Sequence, residues 1–212
     1  MEAEFENGFA VVGDGEWLVG AGQPAAILGR LTARPAPKVE GVPWWRRLFA
    51  PDRFRLSCQR LEGRMWCAAA ERPFLTRLDL GERVCVVTEK LLVAPASARK
   101  GSRLVKAIPF SFRDAVCATE LEIGWAVCAT RSRVAKIVVK EGETLGVKPR
   151  VVVAWTGNPP TGYCPKLRTR DLFLPRAPKC LLLNFHGPAI VWVEGASTDR
   201  KSGSGRWGMG RD

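Results

Sequence analysis

Acidic residues such as Glu120 and Glu122 have a spacing suited to acid–base chemistry. Glu120 and Glu122 are two positions apart in the run Ala-Thr-Glu-Leu-Glu-Ile, so on a strand both carboxylates lie on the same face. Two neighbouring carboxylates form a candidate acid–base pair. The alternative is a solvated strand face, which is the interpretation we favour.

The histidine and cysteine residues do not predict a metal site or a disulfide framework. The cysteines are odd in number and form no Cys-x-x-Cys pair. We expect reduced and mostly buried thiols. The lone His186 lies in the apolar run Leu-Leu-Leu-Asn-Phe-His-Gly, which predicts a structural rather than a catalytic histidine. The seven cysteines are Cys58, Cys67, Cys85, Cys117, Cys128, Cys164 and Cys180.

Nucleotide-binding and hydrolase motifs are not supported by the sequence. The chain has no G-x-x-x-x-G-K-[ST] loop, no G-x-S-x-G elbow and no Ser-His-Asp order. Gly203-x-Gly205-x-x-Gly208 matches the dinucleotide fingerprint, but no strand is predicted before it and no helix after it. We therefore predict a protein that is not an enzyme, with no catalytic residue, cofactor, metal or small-molecule substrate.

Positive charge is the strongest remaining signal, with a formal net charge of +12. Residues 30–60 contain eight basic residues against two acidic ones. Within them, Trp44, Trp45, Arg46 and Arg47 suit stacking on bases with arginine on phosphates, or a position at a lipid headgroup surface. The alternative is that Trp45 packs in the core and the arginines are merely solvated.

A second basic cluster is predicted in a loop between strands of the middle part of the chain. It contains Arg99, Lys100, Arg103 and Lys106, and Arg131, Arg133 and Lys136 are expected to add to it. Together with the first cluster, these residues are the candidate partner-binding or polyanion-binding rim. The tail 197–212 is Gly/Ser-rich with scattered arginines and is predicted to be disordered.

The elements that position these residues repeat along the chain. Gly-Glu occurs at Gly15, Gly81 and Gly142, and the last two open similar runs, GERVCVVTEKLLVAPA and GETLGVKPRVVVAWTG, which predict strand, turn and strand. Gly63-x-x-x-Cys-Ala and Gly124-x-x-x-Cys-Ala each lie eighteen residues before one of these pairs. Leu-Phe-x-Pro precedes Gly63 and Gly187 with the same spacing.

Between these repeated motifs, the sequence consists of short apolar runs typical of β-strands, separated by prolines and glycines. The chain contains fifteen prolines and twenty-one glycines. The segment 114–123 is the nearest helical candidate, but its β-branched residues favour a strand. One unit is too small to be stable alone, so three must share a core. We predict an all-β, pseudo-threefold prism or barrel over 1–196, with units at about 9–74, 75–135 and 136–196. The N-terminal strand is expected to close the ring beside the C-terminal one.

The third unit resembles the altered inheritance of mitochondria protein 24 family, a mitochondrial biogenesis family with bacterial members. The residues that carry the resemblance are Glu141-Gly-Glu-Thr-Leu-Gly-Val, Val152-Val-Ala-Trp155, Leu172-Phe and Phe185-His-Gly-Pro-Ala-Ile-Val-Trp192. Arg170-Asp171 and His186-Gly187 depart from the family pattern. The resemblance implies a fold like that of the tryptophan RNA-binding attenuator protein, homo-oligomers and no catalytic residues.

Two functional hypotheses follow. In the first, the chain is an oligomeric scaffold whose basic, aromatic rim engages a protein partner or an anionic membrane. In the second, the same rim binds nucleic acid without sequence preference. The longest apolar run, Cys180 to Val193, is interrupted by polar residues, and the N-terminus is acidic, so we expect a cytoplasmic protein without a membrane anchor.

Overall fold

The computed structural model describes residues 3–20, 25–35, 56–69, 71–105, 116–122, 124–163 and 182–195. Strands dominate these residues, and the helical elements among them are 3-10 turns of three residues at Thr88–Lys90, Ala96–Ala98 and Pro149–Val151. The prediction of an all-β fold with little helix is confirmed. The strands are β1 (Glu4–Glu6), β2 (Phe9–Val12), β3 (Gly15–Val19), β4 (Ala26–Pro35), β5 (Leu56–Cys67), β6 (Phe74–Leu80), β7 (Val84–Val87), β8 (Leu91–Pro95), β9 (Arg99–Val105), β10 (Val116–Leu121), β11 (Gly124–Thr130), β12 (Val134–Val139), β13 (Thr144–Val147), β14 (Val152–Thr156), β15 (Thr161–Tyr163), β16 (Leu182–His186) and β17 (Ala189–Glu194).

These strands form three sheets. The first has eight strands in the order β1-β2-β5-β3-β8-β11-β6, with β4 also paired to β5. The second has six strands in the order β12-β17-β14-β7-β10-β9, and the third has three in the order β13-β16-β15. The pairings between these strands are antiparallel.

One pairing scheme occurs twice. From β6 to β11, the last strand lies between β6 and β8, while β10 lies between β7 and β9. From β12 to β17, the last strand lies between β12 and β14, while β16 lies between β13 and β15. Both Gly-Glu runs therefore fold as strand, 3-10 turn and strand, as their sequences predict.

The first part of the chain follows this scheme with longer strands. β5 pairs along one edge with β2 and β3 and along the other edge with β4. The single β4–β5 hairpin therefore replaces two pairs of shorter strands. Gly29 and Gly63 face each other in it with φ values of 124° and 131°. Only glycine fits there, because a Cβ on either residue would collide with the opposite backbone. Gly124, at the start of β11, has a similar φ of 132°.

The expected ring closure by the N-terminal strand is wrong. β1 pairs with β2, and β2 pairs with β5 through Ala10, Val11 and Val12. β17 lies in a different sheet, between β12 and β14. The physical reason is that β2 occupies the same place beside β5 as β6 does beside β11, so it completes its own unit instead of reaching the C-terminal strand.

Two seams join consecutive parts of the chain. In the first seam β3 pairs with β8, and in the second seam β7 pairs with β14. The inward side chains of these strands meet in a common core that includes Leu18, Val86, Leu91 and Val153. Burying this apolar area supplies the main driving force for holding the sheets together. Two further core clusters contain the ring contacts of Trp17 with Trp125 and of Trp155 with Phe185.

Candidate interaction surface

The basic residues of the middle part of the chain lie on a strand and not in the predicted loop. Arg99, Lys100 and Arg103 belong to β9, the edge strand of the six-stranded sheet. The prediction failed because Arg-Lys-Gly-Ser-Arg has low β-propensity, which pairing with β10 overrides. Lys106 lies outside the described residues.

Arg99, Lys100 and Arg103 form a basic strip along β9. Acidic side chains pair with much of this β9 strip. The buried carboxylate of Glu120 on β10 pairs with Arg83 and with Arg103, whose Nη2 is 2.6 Å from Oε1. Lys100 Nζ lies 2.9 Å from Glu122 Oε2. Glu120 and Glu122 therefore each form ion pairs with basic side chains. The expectation of a solvated face is wrong for Glu120, which is buried. The two guanidinium groups supply the opposite charge that a buried acidic side chain needs.

Cys85 lies beside this ion-pair cluster on β7. Burial, reinforced by the negative charge of Glu120, raises the pKa of the Cys85 thiol to about 11. Such a thiol stays protonated at neutral pH and is a poor nucleophile. The described cysteines Cys67, Cys85, Cys117 and Cys128 are thiols outside any disulfide, and all but the half-buried Cys117 are buried, as expected. Cys164, Cys180 and the side chain of Cys58 lie outside the described residues.

Arg131 and Arg133 do not join the β9 strip. They lie in the turn between β11 and β12, and β12 is at the opposite edge of the six-stranded sheet from β9. Four strands separate the two groups, so they form separate basic patches. On β12, the ammonium of Lys136 lies 5.9 Å from the centre of the Trp192 ring.

A buried ion pair lies at one end of the second seam, where β7 ends and β14 begins. Lys90, only 3% exposed, donates to Glu194 Oε1 and to the carbonyl oxygen of Arg150, both at 2.8 Å. Desolvation lowers the pKa of Lys90, and its hydrogen bond to Glu194 opposes that shift. The other Glu194 oxygen accepts from the backbone N–H of Arg131 at 3.2 Å. These contacts link the turn after β7 to the end of β17.

His186 aligns the three-stranded sheet. Its Nδ1 lies 3.0 Å from Thr144 Oγ1 on β13, and its Nε2 lies 3.2 Å from Thr161 Oγ1 on β15. The exposed ring thus bridges both neighbours of β16, a contact pattern typical of a structural histidine. In the described part of the chain, no group of three or more His, Cys, Asp or Glu side chains is arranged to hold a metal ion.

An apolar strand edge is exposed in the first part of the chain. Residues 26–30 of β4 are all exposed, including Ile27 at 40% and Leu28 at 65%. Adjacent residues on a strand point to opposite faces, so both faces of β4 are uncovered here. Sequence analysis missed this feature, because Ala-Ile-Leu-Gly has the composition of a buried strand.

Several predicted features lie outside the described residues. These are the aromatic and basic segment Trp44, Trp45, Arg46 and Arg47, the Leu172-Phe element, the glycine fingerprint at 203–208 and the tail 197–212. Their predicted roles stay predictions. No described helix is long and apolar enough to cross a bilayer.

Comparison with known proteins supports the fold and leaves the family resemblance a prediction. No family model matches the chain, and no curated protein matches it. The crystal structure of protein SPYM3_0169 from Streptococcus pyogenes is similar, with a TM-score of 0.62 over 92% of each chain. The two sequences are 13% identical, so this likeness concerns the fold alone.

Proposed function

We propose that this chain is a non-catalytic, oligomeric scaffold that engages other protein chains. The observation that carries the proposal is a contrast within the described residues. Charged side chains that face each other across strands are engaged in ion pairs, whereas an apolar strand edge at β4 is exposed. A strand edge with free N–H and C=O groups binds another strand by backbone hydrogen bonds.

The ion pairs also bear on the choice between partners. Arg103 and Lys100 each face a carboxylate at hydrogen-bonding distance, so a phosphate would have to compete with Glu120 or Glu122 for them. Phosphate neutralisation by free basic side chains is the main source of non-specific nucleic-acid affinity. The β9 strip is therefore better suited to holding its sheet than to binding a polyanion.

Nucleic-acid binding is the alternative, favoured by the net charge of +12. Fluorescence anisotropy of a labelled single-stranded RNA, titrated with the full chain at several salt concentrations, separates the two functions. We expect no saturable binding near physiological salt. Saturable binding would reject the scaffold proposal if the logarithm of its association constant falls steeply with the logarithm of salt concentration.

A double variant identifies the source of any binding that appears. Lys100→Ala with Arg103→Ala removes two basic groups of β9, and Arg131→Ala with Arg133→Ala is the matched control at the other edge of the sheet. Under the scaffold proposal, neither variant changes the anisotropy. Co-sedimentation with anionic vesicles tests the membrane version in the same way, and charge-dependent pelleting would argue against a protein partner.

A further inference from the structure

The repeated pairing scheme predicts a third seam, between β13 and β4, that is missing from the described residues. β3 pairs with β8, which belongs to the next part of the chain, and β7 pairs in the same way with β14. β13 corresponds to β3 and β7, because all three follow a Gly-Glu turn or contain one. The N-terminal half of β4 corresponds to β8 and β14, because each pairs with the strand that follows Gly63, Gly124 or Gly187. In the described residues, β13 and β4 do not pair.

Burial separates the two completed seams from these two edges. β7, β14 and residues 91–94 of β8 are completely buried, and so are Trp17, Leu18 and Val19 of β3. By contrast, residues 26–30 of β4 are exposed, and only Val147 of β13 is buried. Apolar strands that are interior elsewhere are thus open to solvent at this place.

The backbone of β13 is oriented for pairing. The N–H of Gly187 donates to the carbonyl oxygen of Glu143 at 3.0 Å, which makes these two residues a hydrogen-bonded pair. In an antiparallel ladder such pairs alternate, so Thr144 and Gly146 direct their N–H and C=O groups away from β16. Nothing in the described residues pairs with that edge.

The two open edges also differ in charge. β4 carries Arg30 and Arg34 and no acidic residue. β13 is flanked by the exposed residues Lys140, Glu141, Glu143 and Lys148, whose charges balance. Charges and proline on an edge strand oppose association, and β4 has them only from Arg30 onward, so its exposed stretch Ala-Ile-Leu-Gly lacks both.

We propose that a second copy of this chain fills the open place, with β4 of one copy paired antiparallel to β13 of the next. This proposal rests on the scaffold function and names its partner. Each copy offers one β4 edge and one β13 edge, so the contact is head-to-tail, and assembly continues until a ring closes or a filament grows.

Two substitutions block the edges one at a time. Ile27→Lys places a charge on the exposed β4 edge, and Thr144→Pro removes an outward-pointing N–H from β13. Val138→Lys, at another exposed apolar position, is the control for added charge. Light scattering and sedimentation velocity over a wide concentration range give the mass of each variant, and circular dichroism shows that it is folded.

The proposal predicts a wild-type mass above that of the monomer, monomeric Ile27→Lys and Thr144→Pro variants, and an unchanged Val138→Lys assembly. An equimolar mixture of the two monomeric variants should form dimers, because each retains the edge that the other has lost. A wild type that stays monomeric overturns the proposal, and so do edge variants that keep the wild-type mass. In the latter case the scaffold function survives through another surface, whereas RNA binding in the anisotropy titration removes that function itself.

Discussion

The completed seams and the open edges of this fold use similar sequences in different surroundings. Val-Cys-Val-Val of β7 and Val-Val-Ala-Trp of β14 are buried against each other, whereas Ala-Ile-Leu-Gly of β4 faces solvent. The difference shows that an apolar strand sequence predicts that the strand is buried. It does not show whether the burying residues come from the same chain or from another. The exposure of β4 therefore leads to a specific prediction about assembly.

The largest effect is expected where Gly29 and Gly63 face each other in the long hairpin of β4 and β5. A Cβ at Gly63 would lie 1.9 Å from the carbonyl oxygen of Leu28, at a φ of +131°. Gly63→Ala should therefore cost at least about 4 kcal/mol and abolish soluble, folded protein. Gly124→Ala has a similar φ but open space, so strain alone should cost about 1–3 kcal/mol.

Urea unfolding and soluble yield measure both glycine variants. Equal losses at Gly63 and Gly124 would show that the close approach of the two hairpin strands at Gly29 and Gly63 does not matter to the fold.

The second seam should depend on the Lys90 and Glu194 pair. Glu194→Gln leaves a buried ammonium without its counter-charge, and we expect a loss of about 3–5 kcal/mol in the free energy of unfolding. Lys90→Met alone should be similarly costly, because it leaves the nearly buried Glu194 carboxylate unpaired. The double variant with Lys90→Met and Glu194→Gln removes both charges, so its cost should be much smaller than that of either single variant. Chemical denaturation measures all three, and a double variant as unstable as the sum of the two single variants would contradict this explanation.

A matched pair of truncations compares the first seam with the open edge directly. Leu18 is 1% exposed in β3, and Leu18→Ala should destabilise the chain by about 3 kcal/mol. Ile27→Ala should cost under about 1 kcal/mol at protein concentrations where the chain is monomeric. At higher concentration the Ile27 variant should lose assembly rather than stability. Similar unfolding costs at both positions in the monomer would show that β4 is covered within one chain.

A smaller effect is expected from pH at Cys85. Its pKa rises from 9.0 to about 11 on folding, so the unfolded chain loses the proton first as pH rises. The stability that depends on the neutral thiol is complete below pH 9 and is lost as pH rises to about 11, by about 2–3 kcal/mol. The stability difference between wild type and Cys85→Ala should shrink over this range. Val87→Ala, on the same strand, should show a constant difference from wild type.

Local patterns were sufficient for part of this structure. Alternating apolar residues and Gly-Glu turns predict β7, β8, β13 and β14, because strand and turn preferences depend on neighbouring residues. The expectation of a strand over 114–123 agrees with β10.

The features that sequence analysis missed depend on residues far apart in the chain. Lys90 and Glu194 are 104 positions apart, and Arg83 is 37 positions from Glu120, so no local pattern indicates that these charges are buried together. β9 is a strand because β10 pairs with it, against its own composition. The ring closure was mispredicted because strand identity does not specify which neighbouring unit a strand pairs with.

Hydrogen exchange of backbone amides at several protein concentrations tests the proposed assembly most directly. The amides of Thr144 and Gly146, which point to the open edge, should exchange rapidly in dilute protein and slow down as concentration rises. The amides of β8 and β14 should be protected at every concentration. Slow exchange of Thr144 and Gly146 in dilute monomer, or fast exchange at all concentrations, would contradict the filling of this edge by a second copy.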